Sequence, residues 1–200
     1  MATVNSYTDG MPTPDRTSLP EIVAAAVDLL EADGLAGVTM NAVAVRAGVR
    51  APSLYKRVRD RDELVRLAAR ATLAALADRI VAHTDPARHP DPAERLAALA
   101  RDLRAFAHER PHGYRLVFAP PSAETRLEPE ELAAASAPLL AVAAELAGED
   151  AALEAARTLT AWATGFIGME LAGAFQLGGD VDRAYAYGLE RMLVALRSGD

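Results

Sequence analysis

The chain has 200 residues, 51% of them hydrophobic and 24% charged, with 13 Gly, 12 Pro and no Cys. This balance suits a globular chain near the upper end of single-domain size and excludes collagen-like, low-complexity and disordered classes. The missing cysteines exclude a disulfide scaffold, a thiolate zinc site and a cysteine nucleophile, and they fit a reducing compartment. The net charge of −7 speaks against indiscriminate nucleic-acid binding. Its distribution does not: between Arg46 and Arg79 nine basic side chains face four acidic ones, whereas the chain beyond Glu124 is mostly acidic or apolar.

Residues 1–17, MATVNSYTDGMPTPDRT, lack the apolar core of a signal peptide and are expected to form a disordered arm. No stretch reaches the length of a membrane span, so a cytoplasmic protein without a membrane partner is expected. Alanine supplies about a fifth of the chain and aromatics only 5%, a balance that favours helix over strand. An all-α fold of about nine helices follows. Ile22, Ala25, Ala26, Leu29 and Leu30 recur at helical spacing from Ser18, and Asp33-Gly34 ends a first helix over 18–33. Thr39 is a candidate N-cap for Met40–Arg46, and Ala47-Gly48-Val49 makes a tight turn. A third short helix is expected over about Arg50–Arg57, with Pro52 tolerated in its first turn. Asp60 then caps a long helix reaching about His83.

After the Pro- and Asp-rich loop Thr84–Pro92, periodicity resumes over Ala93–Glu109, and Pro111 and Pro120-Pro121 bracket a short helical piece. Further helices are expected over Pro129–Ala147, about Glu149–Leu177 and Val181–Arg197, the last two separated by Gly178-Gly179. No internal repeat is visible.

Two short helices joined by a glycine-containing turn have the form of a helix-turn-helix, whose second helix enters the DNA major groove. That helix needs apolar anchors on one side and small or polar groups on the other, within a groove about 12 Å wide. Leu54 and Val58 fit as anchors. Arg50, Pro52, Ser53 and Lys56 can project outward, while Tyr55 and Arg57 reach toward phosphates. Arg61 and Thr39, each at a helix start, add phosphate contacts. A generic helix pair with a solvated basic rim is the competing reading.

The stretch Thr39–Leu64, TMNAVAVRAGVRAPSLYKRVRDRDEL, resembles the DNA-binding domain of TetR-family transcriptional regulators. The likeness rests on Thr39 opening the second helix, Ala47-Gly48-Val49, Leu54-Tyr55, Arg57, Val58 and Arg61. It implies base contacts near Arg50, Pro52 and Ser53, with Thr39, Tyr55, Arg57 and Arg61 mainly holding phosphates. Lys56 follows the tyrosine, and Arg57 replaces the family's frequent histidine. Farther along, WATGFIGMELAGAFQLGG within Ala161–Leu196 is similar to a ligand-domain subtype of the family, with Thr164-Gly165 where His-Gly is common.

The resemblance implies a DNA-binding domain over 18–64 and a ligand-binding and dimerisation domain over 65–200. Trp162, Phe166 and Met169 line one helix, and Phe106, Tyr114 and Phe118 can face them across a pocket for a small apolar effector; Glu170 is a candidate polar anchor. Plain core filling is the alternative for each. Val181, Ala184, Tyr185, Gly188, Leu189, Met192 and Leu196 form a stripe suited to an isologous homodimer or to the chain's own core. The four histidines lack metal-site spacing, so no metal and no cofactor is expected. No nucleophile elbow, phosphate loop or dinucleotide fingerprint is present, and the chain is not expected to be an enzyme. The expected function is a ligand-responsive repressor that binds a palindromic operator as a dimer. The alternatives are a helical protein-interaction module without operator binding or an all-α enzyme.

Overall fold

Ser18 opens helix α1 (Leu19–Gly37) with a capping box, its hydroxyl accepting from the Glu21 N–H while the Glu21 carboxylate accepts from the Ser18 N–H. The helix proper ends where the sequence expected: Gly34 takes φ 68° and leaves one more turn before Val38. The computed structural model describes residues 18–197; the arm expected over 1–17 lies outside them. Helix α2 (Met40–Arg46) is capped by Thr39, whose Oγ1 accepts from the Ala42 N–H at 3.1 Å. At its other end Val49 N–H donates to Ala44 O and Gly48 N–H to Val45 O, the paired bonds of a Schellman motif. Gly48 sits at φ 71°, a conformation a side chain would strain.

Helix α3 spans only Ala51–Leu54. The helix expected to Arg57 stops early because the Arg57 and Val58 N–H groups both donate to Leu54 O, making a turn that sends Val58 inward. Asp60 caps α4 (Arg61–His83) by accepting from the Glu63 N–H, and Glu63 accepts in return from the Arg59 N–H. Five longer-range helices complete the described fold: α5 (Pro92–Glu109), α6 (Pro111–Phe118), α7 (Pro129–Ala147), α8 (Ala152–Leu171) and α9 (Val181–Arg197). A single 3-10 turn, Glu149–Ala151, precedes α8. Among the described residues there is no strand, and no helix is long and apolar enough to cross a membrane.

Helix α8 ends six residues before the expected Leu177. Ala174 N–H folds back onto Met169 O while Gly173 turns to φ 65°, so the alanines that read as helix belong to a loop.

Two hydrophobic clusters share the fold. The first joins α1, α2, α3 and the first half of α4 around Ile22, Leu30, Val43, Leu54, Val58 and Leu64, with Leu116 of α6 added. The second joins the far end of α4 to α5 through α9 around Leu76, Leu96, Phe106, Leu159, Ile167 and Leu189. Helix α4 belongs to both, since Val65, Ala68 and Ala69 lie in the first cluster and Leu76 in the second.

The α9 stripe faces this interior. Tyr185, Leu189 and Leu193 are buried, and Gly188 lies so close to Trp162 that a Cβ there would stand 2.5 Å from its ring. The reading of Tyr185 and Leu189 as contacts to a second subunit is therefore replaced by a core role. The reason is the aromatic stack of Trp162 on Tyr185, at 5.1 Å, which fills the α8–α9 seam from within. What stays uncovered is the other side: Ala161, Gly165 and Gly168 on α8, and Ala184, Tyr187 and Val194 on α9.

Candidate nucleic-acid interface and internal cavity

Helix α3 carries a divided surface. Leu54 and Val58 are 0% and 1% exposed, anchoring the element in the first cluster beside α2, while Arg50, Pro52, Ser53, Tyr55, Lys56 and Arg57 are all exposed beside them. Full burial of Leu54 contributes roughly 1.5–3 kcal/mol, enough to hold a single-turn helix that could not stand alone. The Arg50 and Lys56 side chains make no hydrogen bond or ion pair among the described residues. Thr39 is exposed and spends one lone pair on its cap, which leaves the hydroxyl proton to give. The sequence-derived set thus gathers on one side of the first cluster, with one exception.

Arg61 points back into the protein. Its Nε donates to Val38 O at 2.8 Å and its Nη2 to Leu35 O at 2.7 Å, the latter shared with the Val38 N–H, so the guanidinium braces the carbonyls at the end of α1. The expectation of an outward phosphate contact is corrected here: those two carbonyls lie within reach, and satisfying them is what orients the side chain.

The second cluster encloses a cavity of about 400 Å³ walled by α4, α5, α6, α7 and α8. Its lining is mostly leucine, isoleucine, valine and alanine; the polar members are Arg79, Asp102, Ser136 and Thr160. The volume and the apolar lining with few polar groups are those of small-molecule sites. Of the residues the sequence proposed for a pocket, Phe118 lines it. Phe106 is buried in the core beneath Arg79, whose guanidinium carbon stands 5.1 Å from its ring centroid. Tyr114 is buried against Phe118, with its hydroxyl unpartnered and its pKa pushed up to about 12 by burial.

The expected α8 wall is corrected. Leu159, Thr160 and Ala163 face the cavity, while Trp162 and Phe166 pack on Tyr185 of α9 and Met169 is half-exposed. At 100° per residue the two sets occupy neighbouring arcs of one helix, and the large aromatics went to the seam with α9. Glu170 is no free anchor either. Arg104 of α5 holds it with two hydrogen bonds, at 2.8 and 2.5 Å, and His108 stands 3.2 Å from the same carboxylate. The Arg104 hydrogen bond keeps the Glu170 carboxyl below its usual range, and the same pairing raises Arg104.

Helix α6 links the two regions. Its Val117 and Phe118 line the cavity, while the Glu31 carboxylate of α1 accepts from the His112 and Gly113 N–H groups at its start, the latter at 2.8 Å. Gly113 permits this approach: a Cβ there would lie 2.7 Å from Glu31 Oε1 and 2.9 Å from Thr72 of α4. Sequence reading missed Glu31, Arg79, Asp102, Ser136 and Thr160. None of them belongs to a spaced motif; only the packing of distant helices brings them together.

Comparison with known proteins agrees with this architecture. Residues 22–68 match the model of bacterial regulatory proteins of the tetR family, and residues 96–192 match that of the tetracyclin repressor-like C-terminal domain. A helix-turn-helix-type transcriptional regulator of Mycobacterium tuberculosis is 31% identical over 184 residues, covering 84% of this chain and 76% of the relative. Among solved structures, the transcriptional regulator SCO7222 of Streptomyces coelicolor superposes with a TM-score of 0.68 at 19% identity, over 92% of this chain and 99% of that one. A TetR variant from Acinetobacter baumannii AYE in complex with minocycline gives 0.66 at 23% identity, over 91% and 99% of the two chains.

Proposed function

The chain belongs to the TetR family of bacterial transcriptional regulators, and from that membership we propose that it is a repressor that binds a palindromic operator as a homodimer and leaves it when a small, mainly apolar effector fills the cavity. Its role is regulation through DNA rather than catalysis. In this reading residues 18–64 form the DNA-binding part, 65–200 the effector-binding and dimerising part, and the protein works in the cytoplasm. Arg50, Pro52 and Ser53 face base edges; Thr39, Tyr55, Lys56 and Arg57 hold phosphates.

The observation that carries the proposal is the pairing of an exposed polar α3 surface with an apolar cavity, both built on α4. A single helix-turn-helix covers little DNA, whereas two on one rigid frame read half-sites a helical turn apart. The uncovered small-residue faces of α8 and α9 suit that pairing, because Gly165 and Gly168 leave open space where a second backbone can approach. Effector in the cavity displaces Val117 and Phe118, and α6 passes the displacement to α1 through Glu31. The effector need only bind one state better, and about 1–3 kcal/mol of coupling changes operator affinity 5–150-fold.

The test is fluorescence anisotropy with a duplex taken from upstream of the chain's own gene, against a scrambled duplex of equal length at fixed salt. Tighter binding to the first supports the reading, as does its loss on adding a ligand found by thermal-shift screening. A dimer that treats both duplexes alike is an interaction module, and the proposal fails.

A further inference from the structure

The charged members of the cavity wall are Arg79 of α4 and Asp102 of α5, and Asp102 has to share that guanidinium with Glu109, a carboxylate outside the wall. Arg79 Nη1 donates to Asp102 Oδ1 at 3.3 Å, while its Nη2 is taken by Glu109. One guanidinium thus serves two carboxylates. His83 Nε2 stands 3.6 Å from Asp102 Oδ2, beyond hydrogen-bond reach. Asp102 is three-quarters buried and accepts one long hydrogen bond, although a carboxylate offers about four lone-pair sites. Among the described residues Arg79 is the one cation in the cavity wall.

Resting on the reading of this cavity as the effector site, we infer that its ligand is a lipophilic monocation: an apolar body among the leucines, with one protonated amine donating to Asp102. The alternatives fail on the same geometry. An entering carboxylate meets Asp102 beside a guanidinium whose charge is already shared between two carboxylates, and like charges at that range repel. A neutral, purely apolar ligand closes Asp102 off from water and returns no hydrogen bond for the solvation it removes. A primary ammonium supplies donors to the unused lone pairs and offsets the excess negative charge. Its hydrocarbon tail takes the rest of the 400 Å³.

The probes are decylammonium, decanol and decanoate, which share a tail and differ in head charge, titrated into the full chain by calorimetry at pH 8 below their aggregation concentrations. A primary amine is protonated there. Decylammonium is expected to bind at least about tenfold tighter than decanoate, whose head group carries the charge that Asp102 repels. Asp102→Asn should remove that preference, weakening decylammonium about tenfold while decanol stays within about twofold. Decanoate binding as tightly as decylammonium, or an ammonium preference that survives Asp102→Asn, overturns the inference and leaves the effector-site reading standing. Binding of none of the three overturns both. The head-group series in the unaltered chain decides the matter even where the variant fails to fold.

Discussion

The α3 surface over the first hydrophobic cluster and the helices around the second treat their cations in opposite ways. Around the first, Arg50 and Lys56 stand exposed with no partner among the described residues, while Leu54 and Val58 anchor the same short element from beneath. Around the second, cations tie helices together: Arg79 to Asp102 and Glu109, Arg104 to Glu170 and Asp182, Arg95 to Glu145. Unspent cations on an apolar footing await an anion from outside, whereas paired ones fix the spacing of helices around a cavity. The division also decides which substitutions report on which activity.

The largest effect expected is at the footing of α3. Leu54 is fully buried, and Leu54→Ala should cost about 2–5 kcal/mol in urea unfolding, through lost burial and the cavity left behind. If the two clusters divide the functions as argued, ligand binding in the folded variant persists while DNA binding is lost. Equal loss of both at temperatures where the variant stays folded breaks the comparison.

Arg61 and Lys56 sharpen it. Both are basic and five residues apart, yet one braces carbonyls and the other is unspent. Arg61→Ala removes the side-chain donor from Val38 O and leaves Leu35 O with only the Val38 N–H at 3.3 Å, and about 1–3 kcal/mol of stability should go with the lost bonds. Lys56→Ala should leave the melting temperature nearly unchanged and reduce the slope of log affinity against log salt by about 1. A salt slope altered by Arg61→Ala, with stability intact, returns Arg61 to the phosphate-contacting set.

Much of the first region was legible in the sequence because its determinants are local. Thr39, Gly48, Leu54, Val58 and Asp60 lie within 22 residues; Thr39, Gly48 and Asp60 act within a turn or two, and the spacing of Leu54 and Val58 alone marks them as inward anchors. The exception, Arg61, failed because its partners Leu35 and Val38 lie more than twenty residues back. The cavity was illegible for the same reason at larger scale: Arg79, Asp102, Ser136 and Thr160 come from four helices. Periodicity shows that α8 and α9 have apolar stripes but not what covers them. Trp162 therefore reads as pocket wall or plain core and Tyr185 as partner contact or core, and only the packing shows that each is the other's neighbour.

The smallest effect lies in the ion-paired region and separates its charge from its shape. Glu170 joins α8 to Arg104 of α5, with its carboxyl held below the ordinary value of 4.5 chiefly by the Arg104 hydrogen bond. A carboxyl depressed on folding stabilises fully above its unfolded value and loses that contribution as pH falls through the folded one. Glu170→Gln keeps the size and still accepts from Arg104, so at pH 7 it should cost only about 1 kcal/mol, the difference between a charge-assisted and a neutral hydrogen bond. Other carboxyls, Glu145 and Asp91 among them, are depressed by their own partners and weaken both proteins in acid alike. The informative quantity is therefore the stability difference between the two, measured by urea unfolding from pH 7 to pH 3, which should begin to shrink as the pH falls below the ordinary 4.5 and go on shrinking toward the lower folded value. A difference that holds constant across that range would show that Glu170 acts by packing, and the second region would lose one of the charges that set its helix spacing.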